Sequence, residues 1–369
     1  MPDQPLTPPP ASGSSPAARL HIVTGKGGTG KTTVAAALAI ALAAPDRRVL
    51  LVEVEGRQGI ASLFGSDPLD YSELVLAESG PRGRVHALAI DPEAALLEYL
   101  ELFYKLGPAG RGLRKMGAID FATTIAPGIR DVLLTGKAYE AVRRRDGARR
   151  HVYDAVVMDA PPTGRIGNFL NVNAEVEQLA RVGPIHTQAA NIMRVLRSPQ
   201  TVVHVVALPE ELPVQETADG VAAMHGLGLP VGAVVLNRTT TPRLAPADLA
   251  AAADGTLGRD RVAAALAGAG RGSTAAGGAD DESTVDAMLA LATDHARRLA
   301  TEAGHRAELL DLGRPVLDLP KLPGGVDLAG LYGLADTLGT RLADLASGDD
   351  PAAHPAGPPD PATATGAAR

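Results

Sequence analysis

The chain has 369 residues, 45% of them apolar, a formal net charge of −7, no tryptophan and no cysteine. That length holds one large or two medium domains. Zero cysteine excludes disulfides, cysteine-ligated zinc or iron–sulfur centres and thiolate metalloid sites, and the acidic balance argues against a non-specific nucleic-acid binder.

Residues 1–18, rich in Pro, Ser and Ala, read as a disordered lead-in. Met1–Pro5 lacks the positive start and apolar core of a signal peptide, and no stretch approaches the roughly 20 apolar residues of a membrane span. The expectation is a cytoplasmic protein with no intrinsic membrane segment.

Arg19–Thr24 reads as a short buried strand, followed by a glycine-rich turn and an apolar helix over Thr32–Ala44. The turn fits G-x-x-x-x-G-K-[ST], with Gly25, Gly30, Lys31 and Thr32 in the fixed places. Glycines let backbone N–H groups face phosphate oxygens with no Cβ in the way, and a helix starting at the turn adds its positive end. Gly25, Gly27, Gly28, Thr29, Gly30 and Thr33 are therefore candidate ATP contacts. Lys31 is placed to reach the β/γ-phosphates, and the Thr32 hydroxyl to ligate Mg²⁺. Lys26, directly after the first glycine, is either a solvated charge or the extra lysine of a longer pattern, K-G-G-x-G-K-[ST]. Every position of that pattern is filled from Lys26 to Thr32, which favours the second reading.

Arg48–Val54 is the second strand, and its Leu50–Val52 core suits burial on both faces. Glu53 and Glu55 alternate at its carboxyl end and are expected to share a face. That edge holds the ligand crevice in open α/β sheets, which favours a functional role for Glu55 over a solvated strand-end charge. Val85–Ile90 is a third strand. Residues 92–145 read as a helical insertion whose apolar band, Leu96, Leu97, Tyr99, Leu100, Leu102 and Phe103, is core or a client groove, with core preferred.

Val152–Asp159 is the next strand, and Asp159 stands where a Mg²⁺-holding carboxylate sits. Gly164 gives the following loop freedom to turn its N–H toward a γ-phosphate. Thr201–Leu208 and Pro230–Leu236 are further buried strands around a helix over Val214–His225. Asn237 offers a donor and an acceptor suited to an adenine edge, or forms a turn.

Thr241–Gly278 is rich in Ala, Gly and Asp, with a flexible loop expected at about 268–281. Glu282–Ala303 reads as a helix, Pro315–Leu319 as the last strand and Leu328–Leu345 as a closing helix. Residues 347–369 read as a disordered tail. The phosphate loop is not duplicated, so one ATP site per chain is expected. Strands alternating with helices give an α/β fold, a doubly wound parallel sheet of the P-loop NTPase type over residues 19–346.

These stretches resemble the arsenical-pump and guided-entry ATPases, within the deviant Walker A group of P-loop proteins. The phosphate loop is the most specific part of the resemblance, and it implies that Lys26 reaches a partner's nucleotide across a dimer interface. Leu50–Gly65 lies where the family has a strand ending in D-P-A-H-S-L, its first switch. Asp159–Gly164 is similar to the second switch, D-T-A-P-T-G, and Ala126–Asp131 to a P-G motif of the helical region. Glu216 matches a Y-E-T-E stretch, and Asn237 the adenine-reading Asn. Within the family the chain looks most like the actinobacterial ion-transporter ATPases, which tend to occur as paired paralogues.

The resemblance implies a Mg²⁺-dependent ATPase in which Lys26, Lys31 and Glu55 are catalytic and Thr32 and Asp159 hold the metal. The partner is a second copy or a paralogous ATPase, with an unknown protein client and no nucleic acid. A nucleotide-gated interaction protein with little turnover, half of a heteromeric pair, is the alternative. A partitioning ATPase is less favoured, because residues 351–369 form no basic face or amphipathic membrane helix. Two departures stand out. Glu55 replaces the family's water-positioning Asp, and the missing cysteines rule out the thiolate route for arsenite, a zinc-clamped dimer and an iron-protein reductase.

Overall fold

The computed structural model describes residues 18–44, 46–80, 82–104, 127–179, 184–269 and 279–347. The expected lead-in and tail therefore fall, but for their innermost residues, outside the described residues.

Eight strands form one sheet in the order β3-β4-β2-β5-β1-β6-β7-β8. They are β1 (Leu20–Gly25), β2 (Arg48–Glu53), β3 (Leu74–Ser79), β4 (Gly83–Ala89), β5 (Ala155–Asp159), β6 (Thr201–Ala207), β7 (Val231–Thr239) and β8 (Val316–Pro320). All neighbours pair in parallel except β3 with β4, an antiparallel edge ribbon. The sequence reading missed β3. Its Leu74 and Val75 are exposed and only Ala77 is buried, so it carries little of the apolar alternation that marks a strand.

The central strands bury both faces. Leu50 and Val52 join one core cluster, whereas Val49 and Leu51 join the cluster on the opposite face. This is the near-continuous aliphatic pattern of a parallel sheet covered on both sides. On one side lies α1 (Lys31–Ala43), buried nearly all round, with the final helix α11 (Leu328–Ser347) packed on it through Leu331, Leu334 and Leu338. Ala35, Ala36, Ala37 and Ala39 are fully buried, and their small side chains let α1 lie close on the sheet.

On the other side a helical layer comprises α3 (Pro92–Tyr104), α4 (Pro127–Arg143), α5 (Thr163–Leu179) and α6 (Pro184–Leu196). Of the expected insertion over 92–145, the described residues show two helices, and residues 105–126 lie outside the described set. The sequence reading passed over α5 and α6, although Ile166, Phe169, Leu170 and Ile192 carry much of this core. The short helix α2 (Gly59–Phe64) follows β2.

The remaining helices are α7 (Glu211–Gly226), α8 (Pro246–Ala253), α9 (Arg259–Gly268) and α10 (Ala279–Leu310). The Ala/Gly/Asp-rich stretch, to which the sequence assigned no element, carries α8 and α9, since its alanines outweigh its glycines in helix propensity. Of the loop expected at about 268–281, Gly268 ends α9 and residues 279–281 open α10, while 270–278 lie outside the described residues.

Two histidines are buried on the central strands β1 and β6. His21 Nδ1 lies 3.3 Å from His204 Nε2, and the rings stack at 5.6 Å. Burial pushes His21 from 6.5 down to about 3 and His204 from 6.5 down to about 4. Both imidazoles are neutral in the fold, whereas the unfolded chain takes up protons below about 6.5. Stability contributed by this pair is complete above that pH and falls as the pH drops toward 4. We expect the urea unfolding midpoint to decline through this window, and a His21→Val/His204→Val variant to show a shallower decline.

Candidate nucleotide site

The site is built at the carboxyl edge of the sheet, where the strand order turns about β1. β1 delivers the glycine-rich loop, and its first glycine is forced by close packing. A Cβ on Gly25 would stand 2.2 Å from the backbone oxygen of Val206 on β6. Gly28 and Gly30 take left-handed φ values of 88° and 89°, which suit glycine. Gly27 and Gly28 are exposed, Thr29 is buried, and the Thr29 hydroxyl donates to the Lys26 carbonyl at 2.8 Å.

Gly30 caps α1, and no side chain caps the helix in its place. The N–H groups opening that helix, through Lys31, Thr32 and Thr33, are left for an anion. Lys31 is buried, with Nζ at 3.5 Å from the Lys26 carbonyl. Burial lowers its pKa, while Asp159 and then Glu55 act to raise it.

Asp159 ends β5, and its Oδ2 accepts a hydrogen bond from the Thr32 hydroxyl at 2.7 Å. Its Oδ1 is buried with no hydrogen-bond partner. Burial raises the carboxyl to about 6, against the lowering effect of Thr32 and Lys31 and with a further push upward from Glu53 and Glu55. The Thr24 hydroxyl donates to the Pro161 carbonyl at 2.6 Å, which ties the end of β1 to the loop after Asp159. Gly164 lies exposed in the first turn of α5 with no neighbour where a Cβ would stand, and it does not use a left-handed conformation.

Asn237 belongs to β7, one residue before a bulge at Arg238, whose φ is 62°. Its amide donates to the Thr29 carbonyl at 2.8 Å and its Oδ1 accepts from the Arg238 N–H at 2.9 Å. The side chain thus holds the phosphate loop from the next strands over. It leaves one amide hydrogen for another acceptor.

The two glutamates after β2 part company, which corrects the expectation that they share a strand face. β2 ends at Glu53, so Glu55 sits beyond the strand. Glu53 is buried, and its carboxylate accepts from the N–H groups of Gln58 and Ile60 at the start of α2. A negative group at a helix N-terminus is stabilising. Gln58 then braces the turn with two hydrogen bonds to Leu69, at 2.9 and 2.7 Å.

Glu55 is 17% exposed and lies 3.6 Å from Arg57. Gly59 packs against Thr32, where a Cβ would come within 3.1 Å of its methyl group. The sequence reading did not find the brace made by Glu53 and Gln58. Its one sequence signal is an acid at a strand end shortly before a helix start.

Lys26 forms an ion pair at 2.7 Å with Glu216 of α7 in its own chain. Arg165 in the first turn of α5 reaches Asp131 on α4 at 2.9 Å, linking the loop after Asp159 to the helical layer.

The profile of the anion-transporting ATPase family matches residues 18–197. The chain belongs to the arsenical-pump and guided-entry family of P-loop ATPases. It is 52% identical over 320 residues to the ATPase BagA of Mycobacterium tuberculosis, across 87% of this chain and 92% of that protein. It is 28% identical over 181 residues to the ATPase GET3 of Kluyveromyces lactis, across 45% of this chain and 51% of that one. The ATPase get3 of Schizosaccharomyces japonicus is 27% identical over 179 residues, across 46% of this chain and 51% of its own length. Among the described residues, no helix of this family member is long and apolar enough to cross a membrane.

The ties on the phosphate loop predict graded damage. Asn237→Ala leaves the buried Thr29 carbonyl unpaired and is expected to cost about 1 to 3 kcal/mol in urea unfolding, with weaker ATP binding. Gly25→Ala collides with backbone rather than a side chain, and is expected to abolish ATP binding in a fluorescent-nucleotide titration.

Proposed function

We propose that this family member is a Mg²⁺-dependent ATP hydrolase working in the cytosol. In this reading the ATPase domain spans residues 19–346, between the lead-in and the tail, and acts as a dimeric nucleotide switch. The observation that carries the reading is the junction of the uncapped α1 N-terminus, buried Lys31 and the Thr32–Asp159 pair at one point of the sheet edge. Residues 25–33 cradle the phosphates, and Lys31 neutralises charge that develops on them.

A Mg²⁺ ion fits these residues. The unpartnered buried Oδ1 of Asp159 and the adjacent Thr32 hydroxyl form a hard-oxygen donor set. Bound there with ATP, the metal would screen phosphate charge. Glu55, close enough to influence both Lys31 and Asp159, orients the attacking water. Gly164 presents its helix-start N–H toward the γ-phosphate, and the remaining amide hydrogen of Asn237 reads the adenine edge.

In the dimer, Lys26 leaves Glu216 to reach the partner's nucleotide. The partner is a second copy or a paralogue. Closure is passed from the loop after Asp159 to the helical layer through Arg165 and Asp131, moving that layer to load a protein client or regulate a partner. A second reading, a low-turnover half of a heteromeric pair, is favoured by one observation: Glu55 stands off the strand and is engaged with Arg57.

Phosphate release should be measured with Mg²⁺ at several protein concentrations. Turnover per chain is expected to rise with concentration. Lys26→Ala and Glu55→Gln are expected to lower it by about tenfold or more while ATP is still bound. No turnover in the pure chain with ATP bound would sink the self-sufficient enzyme and support the heteromeric reading.

A further inference from the structure

The helical layer holds a half-open cavity of about 1090 Å³ between α3, α4, α5 and α6. It lies away from the phosphate loop, and no residue of the nucleotide site lines it. Its walls are aliphatic and aromatic, including Leu96, Leu100, Ile129, Leu133 and Ile192. The apolar band of α3 therefore does double duty: Leu96 and Tyr99 pack on the core cluster and also face this space. The volume lies just above the range of about 300 to 1,000 Å³ usual for small-molecule sites.

All but one of the charged groups at its margin are satisfied by one another, Arg143 being the exception. Lys137 holds both oxygens of Glu98 at 2.9 and 2.8 Å and contacts Glu140 at 3.3 Å. Tyr71 donates to Glu98 and lies beneath the Lys137 ammonium. Arg144 is shared between Glu140 and Glu73, and Arg143 donates to the Tyr139 hydroxyl. A charged ligand would have to break an existing ion pair at Lys137, Arg144, Glu98 or Glu140, whereas Arg143 stands on the exposed rim with only the Tyr139 hydroxyl and ring as partners.

Two amides are different. Asn173 of α5 is fully buried. It donates to the Thr135 hydroxyl at 2.8 Å, and that hydroxyl passes its own hydrogen to the Asp131 carbonyl at 2.7 Å. Gln188 of α6 reaches the next residue of α4, Gly136, where a Cβ would stand 3.8 Å from its nitrogen. Both amides line the cavity, and the oxygens Asn173 Oδ1 and Gln188 Oε1 are buried with no hydrogen-bond partner. Buried acceptors of this kind are costly unless something donates to them.

We propose that this cavity binds a neutral amphipathic small molecule, with an apolar body against the α3 and α4 side chains and a hydroxyl or N–H donor on Asn173 and Gln188. The site is independent of the nucleotide reading, and its test uses no nucleotide.

The full-length protein is titrated with N-phenylnaphthylamine, a neutral apolar fluorophore carrying one N–H. The dye is then displaced with decanol, decyl methyl ether or decanoate. We expect one dye per chain. Decanol should displace it about fivefold more effectively than the ether, which lacks the donor, and more effectively than the anionic decanoate. Gln188→Met should erase the preference for decanol over the ether while the dye still binds. Gly136→Met puts a side chain into the cavity at a helical position that favours it over glycine. It should abolish dye binding with the thermal unfolding midpoint unchanged or raised.

The proposal is overturned if the dye does not bind, or if Gly136→Met leaves binding intact. It is also overturned if the ether and decanol compete equally. Displacement by an apolar helical peptide but not by decanol would assign the space to a client helix instead, and would overturn it as well.

Discussion

A helix that begins with free N–H groups at the carboxyl edge of a sheet has one economical partner, an anion. In this protein the constraint is set by how closely the phosphate loop is wedged between strands. Gly25 touches the backbone of β6, Thr29 is tied to β7 through Asn237, and Thr24 is tied to the loop after β5. Three neighbouring segments therefore hold one loop in one shape. Lys31 and Thr32 inherit their positions from it, and Asp159 meets Thr32 because β5 is the direct neighbour of β1. The raised carboxyl of Asp159 and the lowered ammonium of Lys31 share burial as their first cause.

The second organising feature is the segment after β2. Glu53 turns back onto the start of α2 and Gln58 clips the turn to Leu69. Gly59 then presses on Thr32. This places Glu55 over the site on a short arc whose two ends are anchored. Across the site, the Arg165–Asp131 pair ties the loop after Asp159 to the helical layer, and the Lys26–Glu216 pair ties the phosphate loop to α7. The Lys26–Glu216 pair is partly exposed on both sides and of small intrinsic strength, so it can be exchanged for another partner at modest cost, whereas Asp131 is largely buried and is held more firmly to Arg165.

Much of this was legible beforehand, for identifiable reasons. The strands β1, β2, β5, β6 and β7 are aliphatic runs ending in Gly25, Glu53, Asp159, Ala207 and Thr239, and such runs declare a parallel sheet. The loop from Gly25 to Thr33 has fixed spacing that chemistry demands. Less legible were elements stabilised by tertiary contact. β3 is an exposed edge whose partner, not its pattern, makes it a strand. α5 opens directly on the loop after Asp159 and mixes polar residues into its core face, including Asn173. Spacing alone puts Glu53 and Glu55 on one strand face, yet the strand ends at Glu53, which turns to α2 while Glu55 pairs with Arg57. That divergence depends on α2 standing where its N–H groups can capture the first carboxylate, a three-dimensional fact that no local pattern encodes.

If residues 25–33 form the one nucleotide site of the chain, ATP affinity must depend on Lys31. Calorimetric titration of ATP with Mg²⁺ into the wild type and Lys31→Ala tests it most directly. One ATP per wild-type chain is expected and, for Lys31→Ala, affinity lower by about tenfold or more at an unchanged unfolding temperature. Binding that survives in Lys31→Ala at full strength, or a second ATP per chain, would contradict it.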